Sequence, residues 1–167
     1  MKHGLFLAHV IRPGLAVLSD ATGRPMGSPE AEVLLLAIAI QESALRHRQQ
    51  INGPARGWWQ FERAGGLAGV MNHQRTRGPC EALCEAINLK YDIATLWDAL
   101  PHSELLQVGL ARLLLYADNL GLPAIGLREP AWQYYLRNWR PGRPGTERWG
   151  AAYDGAVELV RQDSTPL

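Results

Sequence analysis

The sequence predicts an all-α fold, on three observations. Apolar residues recur at helical spacing in several separate segments, helix-start signals precede those segments, and strand-like alternation is almost absent. At 167 residues the chain is ample for one core burying roughly two thirds of the unfolded surface and too short for two comfortable domains. Residues 1–167 are therefore expected to form one domain, without internal repeats, low-complexity segments or sustained heptads.

Phe6, Val10 and Ile11 predict a short first helix, interrupted by Arg12-Pro13-Gly14, and residues 21–27 read as a loop. Ser28-Pro29-Glu30 is a helix start, with Ser as cap, Pro at the first position and an early acid. That helix is expected to run to about Gln49, with Asn52-Gly53-Pro54 ending it. Gly65-Gly66 to Gly78-Pro79 is Gly-rich and weakly periodic. It is expected to fold around a cleft, with at most a small hairpin between Gln60 and Arg77. A second long helix starts near Pro79, carries Leu83, Ile87, Ala94, Trp97 and Leu100 on one face, and stops at Pro101. Ser103-Glu104 opens another that ends near Asn119, and Gly121 and Pro123 mark a loop. A short aromatic helix, about Pro130 to Trp139, precedes the irregular Arg140-Pro141-Gly142-Arg143-Pro144-Gly145. Thr146 then caps a last helix with Trp149, Tyr153, Ala156, Val157 and Val160 in one apolar stripe.

The chemistry concentrates between Leu34 and Phe61. From Val33 to Ile40 every residue is hydrophobic, so a helix here must be enclosed by protein on nearly all sides. It ends in Gln41-Glu42-Ser43. Residues three and four apart share a helix face, which sets Glu42 beside Ile38, Ala39 and Leu45. That apolar lining favours the protonated carboxyl, the form that can donate a proton to a departing glycosidic oxygen. The plainer reading makes Glu42 the first solvated residue after a core helix, paired with Arg46 one turn on.

The segment Arg56-Gly57-Trp58-Trp59-Gln60-Phe61 shifts the balance. Gly57 allows close backbone approach, the two indoles offer flat apolar faces, and Gln60 adds an amide donor and acceptor. Adjacent bulky aromatics cannot both face one core in an extended segment. One of Trp58 and Trp59 is therefore expected to face the cleft as a wall for sugar.

These residues carry a resemblance. The apolar helix, Glu42-Ser43, an intervening polar loop and Gly57-Trp58-Trp59-Gln60-Phe61 resemble lytic transglycosylases and the wider lysozyme-like superfamily, in which Glu-Ser is followed by a Gly-x-x-Gln segment. The resemblance covers the Leu34 to Phe61 core. The whole chain, with Ile11-Arg12-Pro13 near its start, looks more like short phage-encoded lysozyme-like proteins. It implies a lysozyme-like fold, Glu42 as catalytic acid, and Ser43 and Gln60 lining a substrate groove. It also implies a peptidoglycan-cleaving muramidase acting on the β-1,4 bond between N-acetylmuramic acid and N-acetylglucosamine. As a lytic transglycosylase it would use one carboxylate as acid and then base. The family's Tyr-Asn motif finds its nearest text in Leu115-Tyr116-Ala117-Asp118-Asn119-Leu120-Gly121, where Tyr and Asn are separated. Tyr116 is carried as a groove residue, and Tyr134, Tyr135 and Asn138 are its rivals. Glu62 is the best-placed second carboxylate and reads equally as an exposed loop charge. Catalysis aside, the same fold serves as a virion structural protein, in a tail, neck or internal component, because fold alone never establishes chemistry.

A formal net charge of +1 argues against nucleic-acid binding, which normally shows as a clustered positive excess. The local cluster Arg137, Arg140, Arg143 and Arg148 would meet anionic wall polymer or an acidic protein, or is simply solvated surface. Cys80 and Cys84 lie four apart at helical spacing and read as small buried hydrophobes rather than as metal ligands with His73. No metal or other cofactor is expected. The basic, apolar start is broken at Arg12-Pro13-Gly14, so neither a signal peptide nor a membrane span is expected. Expected partners are peptidoglycan glycan strands and other phage virion proteins. Expected locations are the virion or the host cytoplasm, with action on the cell wall.

Overall fold

The apolar run at 33–40 is the axis about which the chain folds. In the computed structural model, which describes residues 2–142 and 145–163, this run lies within helix α3 (Pro29–Ser43) and is buried throughout. The Ser28 side chain accepts the Ala31 N–H at 3.2 Å, Pro29 occupies the first turn, and Glu30 and Glu32 complement the positive helix end. The protein is all-α. Among the described residues the only β pairing is two isolated antiparallel bridges, Gln49 with Arg56 and Arg56 with Phe61.

The chain begins with α1 (His3–Phe6), a π turn (Leu7–Ile11) and α2 (Arg12–Thr22), which run on as one helix, His3–Thr22. Arg12-Pro13-Gly14 therefore does not break the helix. Pro13 lacks an N–H and its ring would press on the carbonyl four residues back, and the widened turn just ahead of it gives the room. Gly14 then allows close packing on Val108, since a Cβ there would lie 2.5 Å from Val108 Cβ. By length and composition this helix could cross a bilayer, yet Phe6, Leu7, Val10, Ile11, Leu15 and Leu18 are all buried in the core.

Helix α3 stops at Ser43 rather than at about Gln49. Ala44 and Leu45 both take left-handed conformations (φ 50° and 53°), and the Ser43 hydroxyl bridges the Ala39 carbonyl and the Leu45 N–H. The chain then folds through the two bridges at 49–61, so the small hairpin lies before the expected Gln60 to Arg77 segment. That segment is largely helical: a π turn (Arg63–Leu67) leads into α4 (Ala68–Asn72). Gly66 is needed there because a Cβ would lie 2.7 Å from the Phe61 ring.

The expected long helix from Pro79 to Pro101 is two helices, α5 (Arg77–Ala86) and α6 (Ile93–Ala99). Left-handed Asn88 (φ 55°) ends the first, and the Asp92 side chain accepts the Thr95 N–H at 2.9 Å to start the second. Helix α7 (Glu104–Ala117), capped by the Ser103 hydroxyl, is buried along most of its length. Helices α8 (Arg128–Trp139) and α9 (Thr146–Asp163) complete the fold. α9 packs along α3, α2 packs on α5 and α7, and the buried side chains form one cluster.

Candidate active site

Glu42 is the last residue but one of α3, so the same segment that fills the core delivers its carboxyl to the surface of a groove. Its pKa is pushed up from 4.5 to about 7. Burial is the largest cause. A hydrogen bond from the Tyr135 hydroxyl and the positive charge of Arg148 oppose it. The negative end of α3 adds to the preference for a neutral carboxyl.

The Tyr135 hydroxyl donates to Glu42 Oε1 at 2.5 Å. Burial and the neighbouring Glu42 raise the Tyr135 phenol well above its usual range, so it remains a donor. Its ring is held in an aromatic stack across α8 and α9. Tyr135 lies 5.2 Å from Trp149 at an interplanar angle of 17°, and 5.2 Å from Trp132. Arg148 Nη1 donates to the Gln41 carbonyl, and Gln41 Nε2 to the Gly145 carbonyl, both at 2.9 Å. The end of α3 is thus tied to the start of α9 on either side of the acid.

The groove has a volume of about 1280 Å³ and is lined by Glu42, Gln60, Glu62, Asp118, Asn138 and Trp139 among others. Trp139 is its aromatic wall, fixed by donation of its Nε1–H to the Trp59 carbonyl at 3.0 Å and by contact with Phe61. Asp118 is a second carboxyl of opposite character. Burial pushes its pKa up, but donation from the Leu120 N–H, Asn138 and Arg137 outweighs this and holds it below the usual range. The Glu62 carboxylate makes no hydrogen bond or ion pair among the described residues.

The residues singled out from the sequence divide into two groups. Glu42, Gln60 and Glu62 line the groove. Gln60 sits at φ 49° with its side-chain amide donating to the Gly57 carbonyl at 2.8 Å. Ser43 points inward and ends α3. Gly57 (φ 79°) allows Gln107 to approach: a Cβ there would lie 2.9 Å from Gln107 Oε1, which accepts the Trp58 N–H at 2.7 Å. The sugar wall expected of Trp58 or Trp59 is not there, because both indoles are buried. Trp59 donates to the Leu35 carbonyl at 3.0 Å, and Trp58 packs edge-on against Phe6 under the Arg48 guanidinium. The tight turn at 57–60, with two positive φ angles, sends both rings to one side, which an extended segment forbids.

Tyr116 lies outside the groove lining and accepts a hydrogen bond from Arg24. Of its rivals, Tyr135 meets the acid, Tyr134 donates to the Leu115 carbonyl, and Asn138 lines the groove while holding Asp118. Of the arginine cluster, Arg137 pairs with Asp118, Arg140 lines the groove, and Arg143 lies outside the described residues. Cys80 and Cys84 are buried free thiols. Among the described residues no group of three or more His, Cys, Asp or Glu side chains is placed to hold a metal ion.

Sequence reasoning does not single out Asp118 or Trp139 as groove residues, nor Arg148 as the cation beside Glu42. Trp132, Tyr135 and Trp139 do follow helical spacing on one face of α8, and that stripe is the signal that points to the wall. No family model, no curated protein and no solved structure matches the chain.

Proposed function

We propose that this chain is a lysozyme-like muramidase of the lytic transglycosylase type. Its substrate on this reading is the β-1,4 bond between N-acetylmuramic acid and N-acetylglucosamine in peptidoglycan strands. The observation that carries the reading is Glu42: a carboxyl raised to about 7, fixed by a tyrosine hydroxyl, at the surface of a large groove. A groove of about 1280 Å³ exceeds the roughly 300–1,000 Å³ of ordinary small-molecule pockets and suits a polymer.

Protonated Glu42 gives its proton to the bridging oxygen as the bond from that oxygen to the anomeric carbon breaks. The sugar left behind has oxocarbenium character. Its own 6-hydroxyl oxygen then bonds to the anomeric carbon, and the hydroxyl proton passes to the Glu42 carboxylate, which restores the acid and leaves an anhydro end. Tyr135 serves both halves, because its O–H donation stabilises the carboxylate that exists between the two proton transfers.

A one-carboxylate cycle fits the surroundings. Asp118 already accepts from three donors and is a poor base for activating water. Glu62 is the groove carboxylate without protein partners among the described residues and is the candidate base of the rival hydrolytic route. The test is release of soluble fragments from purified peptidoglycan by the parent and by Glu42→Gln. Loss of about 100-fold or more in a folded Glu42→Gln variant is expected, and near-normal turnover would remove Glu42 from the mechanism.

A further inference from the structure

Outside the groove, three guanidinium groups, two from connecting segments and one from α7, converge on Tyr116. Arg24, just beyond α2, donates Nη1–H to the Tyr116 hydroxyl at 2.9 Å. Arg75, ahead of α5, lies with Cζ 4.7 Å from the centre of the Tyr116 ring, and its Nη1 donates to the Asp118 carbonyl at 2.8 Å. Arg112 of α7 lies 5.7 Å from the same ring, is only 8 % exposed, and donates Nε–H to the Met26 carbonyl at 2.7 Å. Its Nη1 is buried with no hydrogen-bond partner.

None of the three arginines is in an ion pair among the described residues, where Arg48, Arg56, Arg128 and Arg137 each have a carboxylate. A buried guanidinium without a counter-charge is costly, and two more cations beside it add repulsion. Burial lowers the Arg112 pKa, and the Arg24 hydrogen bond, with help from Arg75, lowers that of the Tyr116 phenol.

We propose that Arg24, Arg75 and the Tyr116 hydroxyl, backed by Arg112, form a binding site for a phosphate-type oxyanion. Arg24 and Arg75 are exposed and present planar N–H forks, Tyr116 supplies an O–H donor, and Arg112 supplies positive potential from below. A bound phosphate provides the missing counter-charge. The site shares no residue with the groove lining and does not depend on the activity assigned to Glu42.

The experiment follows thermal unfolding of the intact chain while inorganic phosphate replaces chloride at constant ionic strength and pH. A ligand that binds only the native state raises Tm saturably, by roughly 3–6 °C at ten times its dissociation constant for a chain of this size. The rise should vanish in Arg24→Gln and in Arg75→Gln, both exposed positions, and persist in Arg63→Gln, which removes the same charge elsewhere. Phosphate should also shift the Nε–Hε nuclear magnetic resonance signals of Arg24 and Arg75 in the parent protein, a readout that needs no variant to fold. Dimethyl phosphate run in parallel separates the sources: saturation by both probes indicates a phosphodiester, by inorganic phosphate alone a free phosphate or monoester. No saturable rise, or one that survives both substitutions, overturns the proposal.

Discussion

Replacing Glu42 by Gln should change how stability depends on pH, independently of any substrate. The folded chain binds the Glu42 proton until about pH 7, against 4.5 for an unperturbed carboxyl. Between those values the unfolded chain has released a proton that the native chain still holds. The native state therefore binds more protons, and the contribution of Glu42 to stability falls as pH rises through this window and levels off above it. Two and a half pH units at 1.36 kcal/mol each give a loss of about 3 kcal/mol, complete by about pH 8. The amide of the variant has no proton to release in this range and escapes that loss. Urea unfolding of parent and variant from pH 4 to pH 8 measures it directly: the variant should gain about 3 kcal/mol on the parent over that range. A difference between the two proteins that stays constant with pH would refute the raised carboxyl and the burial argument behind it.

Tyr135→Phe removes a donor to the ionised form of Glu42, so the limb of kcat/KM set by loss of the Glu42 proton should move to higher pH. A hydrogen bond to a charged group is worth about 1.5–3 kcal/mol, which corresponds to about one to two pH units; an unmoved limb would disconnect Tyr135 from the acid. Trp59→Ala should cost about 3–5 kcal/mol of stability, seen in urea unfolding, and leave glycan binding by the folded fraction intact, whereas Trp139→Ala should weaken glycan binding. Glu62→Gln should retain most activity and still yield anhydro ends. In an inverting hydrolase the second carboxylate activates water, and its loss would be nearly as damaging as loss of the acid.

Local signals carried much of the fold. Ser28-Pro29-Glu30 and the apolar run behind it specify α3, because a cap, a first-turn proline and continuous burial all act within a few turns. The same locality draws attention to Glu42, which ends the buried run of α3, while the hydroxyl that meets it comes from α8. Helix breaks were harder to read. Ala44, Leu45 and Asn88 take left-handed conformations that no glycine or proline announces, so the helices around them were expected to be longer. Pro13 misled in the other direction, because a π turn absorbs it. The partner of the acid was not legible at all among three candidates: Tyr135 and Glu42 are 93 residues apart, and only the docking of α8 chooses between Tyr116, Tyr134 and Tyr135. The tryptophan pair differs from the sequence expectation for a geometric reason, as alternation holds for extended backbone and fails in the tight turn at 57–60.

On the proposed function, Glu42 opens a glycan bond in peptidoglycan and the sugar's own hydroxyl closes the product. Mass analysis of the fragments released from purified peptidoglycan tests it most directly. A transglycosylase leaves new glycan ends one water lighter than hydrolysed ends, and these should be made by the parent and absent with Glu42→Gln. Hydrolysed ends would contradict the transglycosylase step, and intact glycan strands after prolonged incubation with folded parent protein would contradict the assignment as a whole.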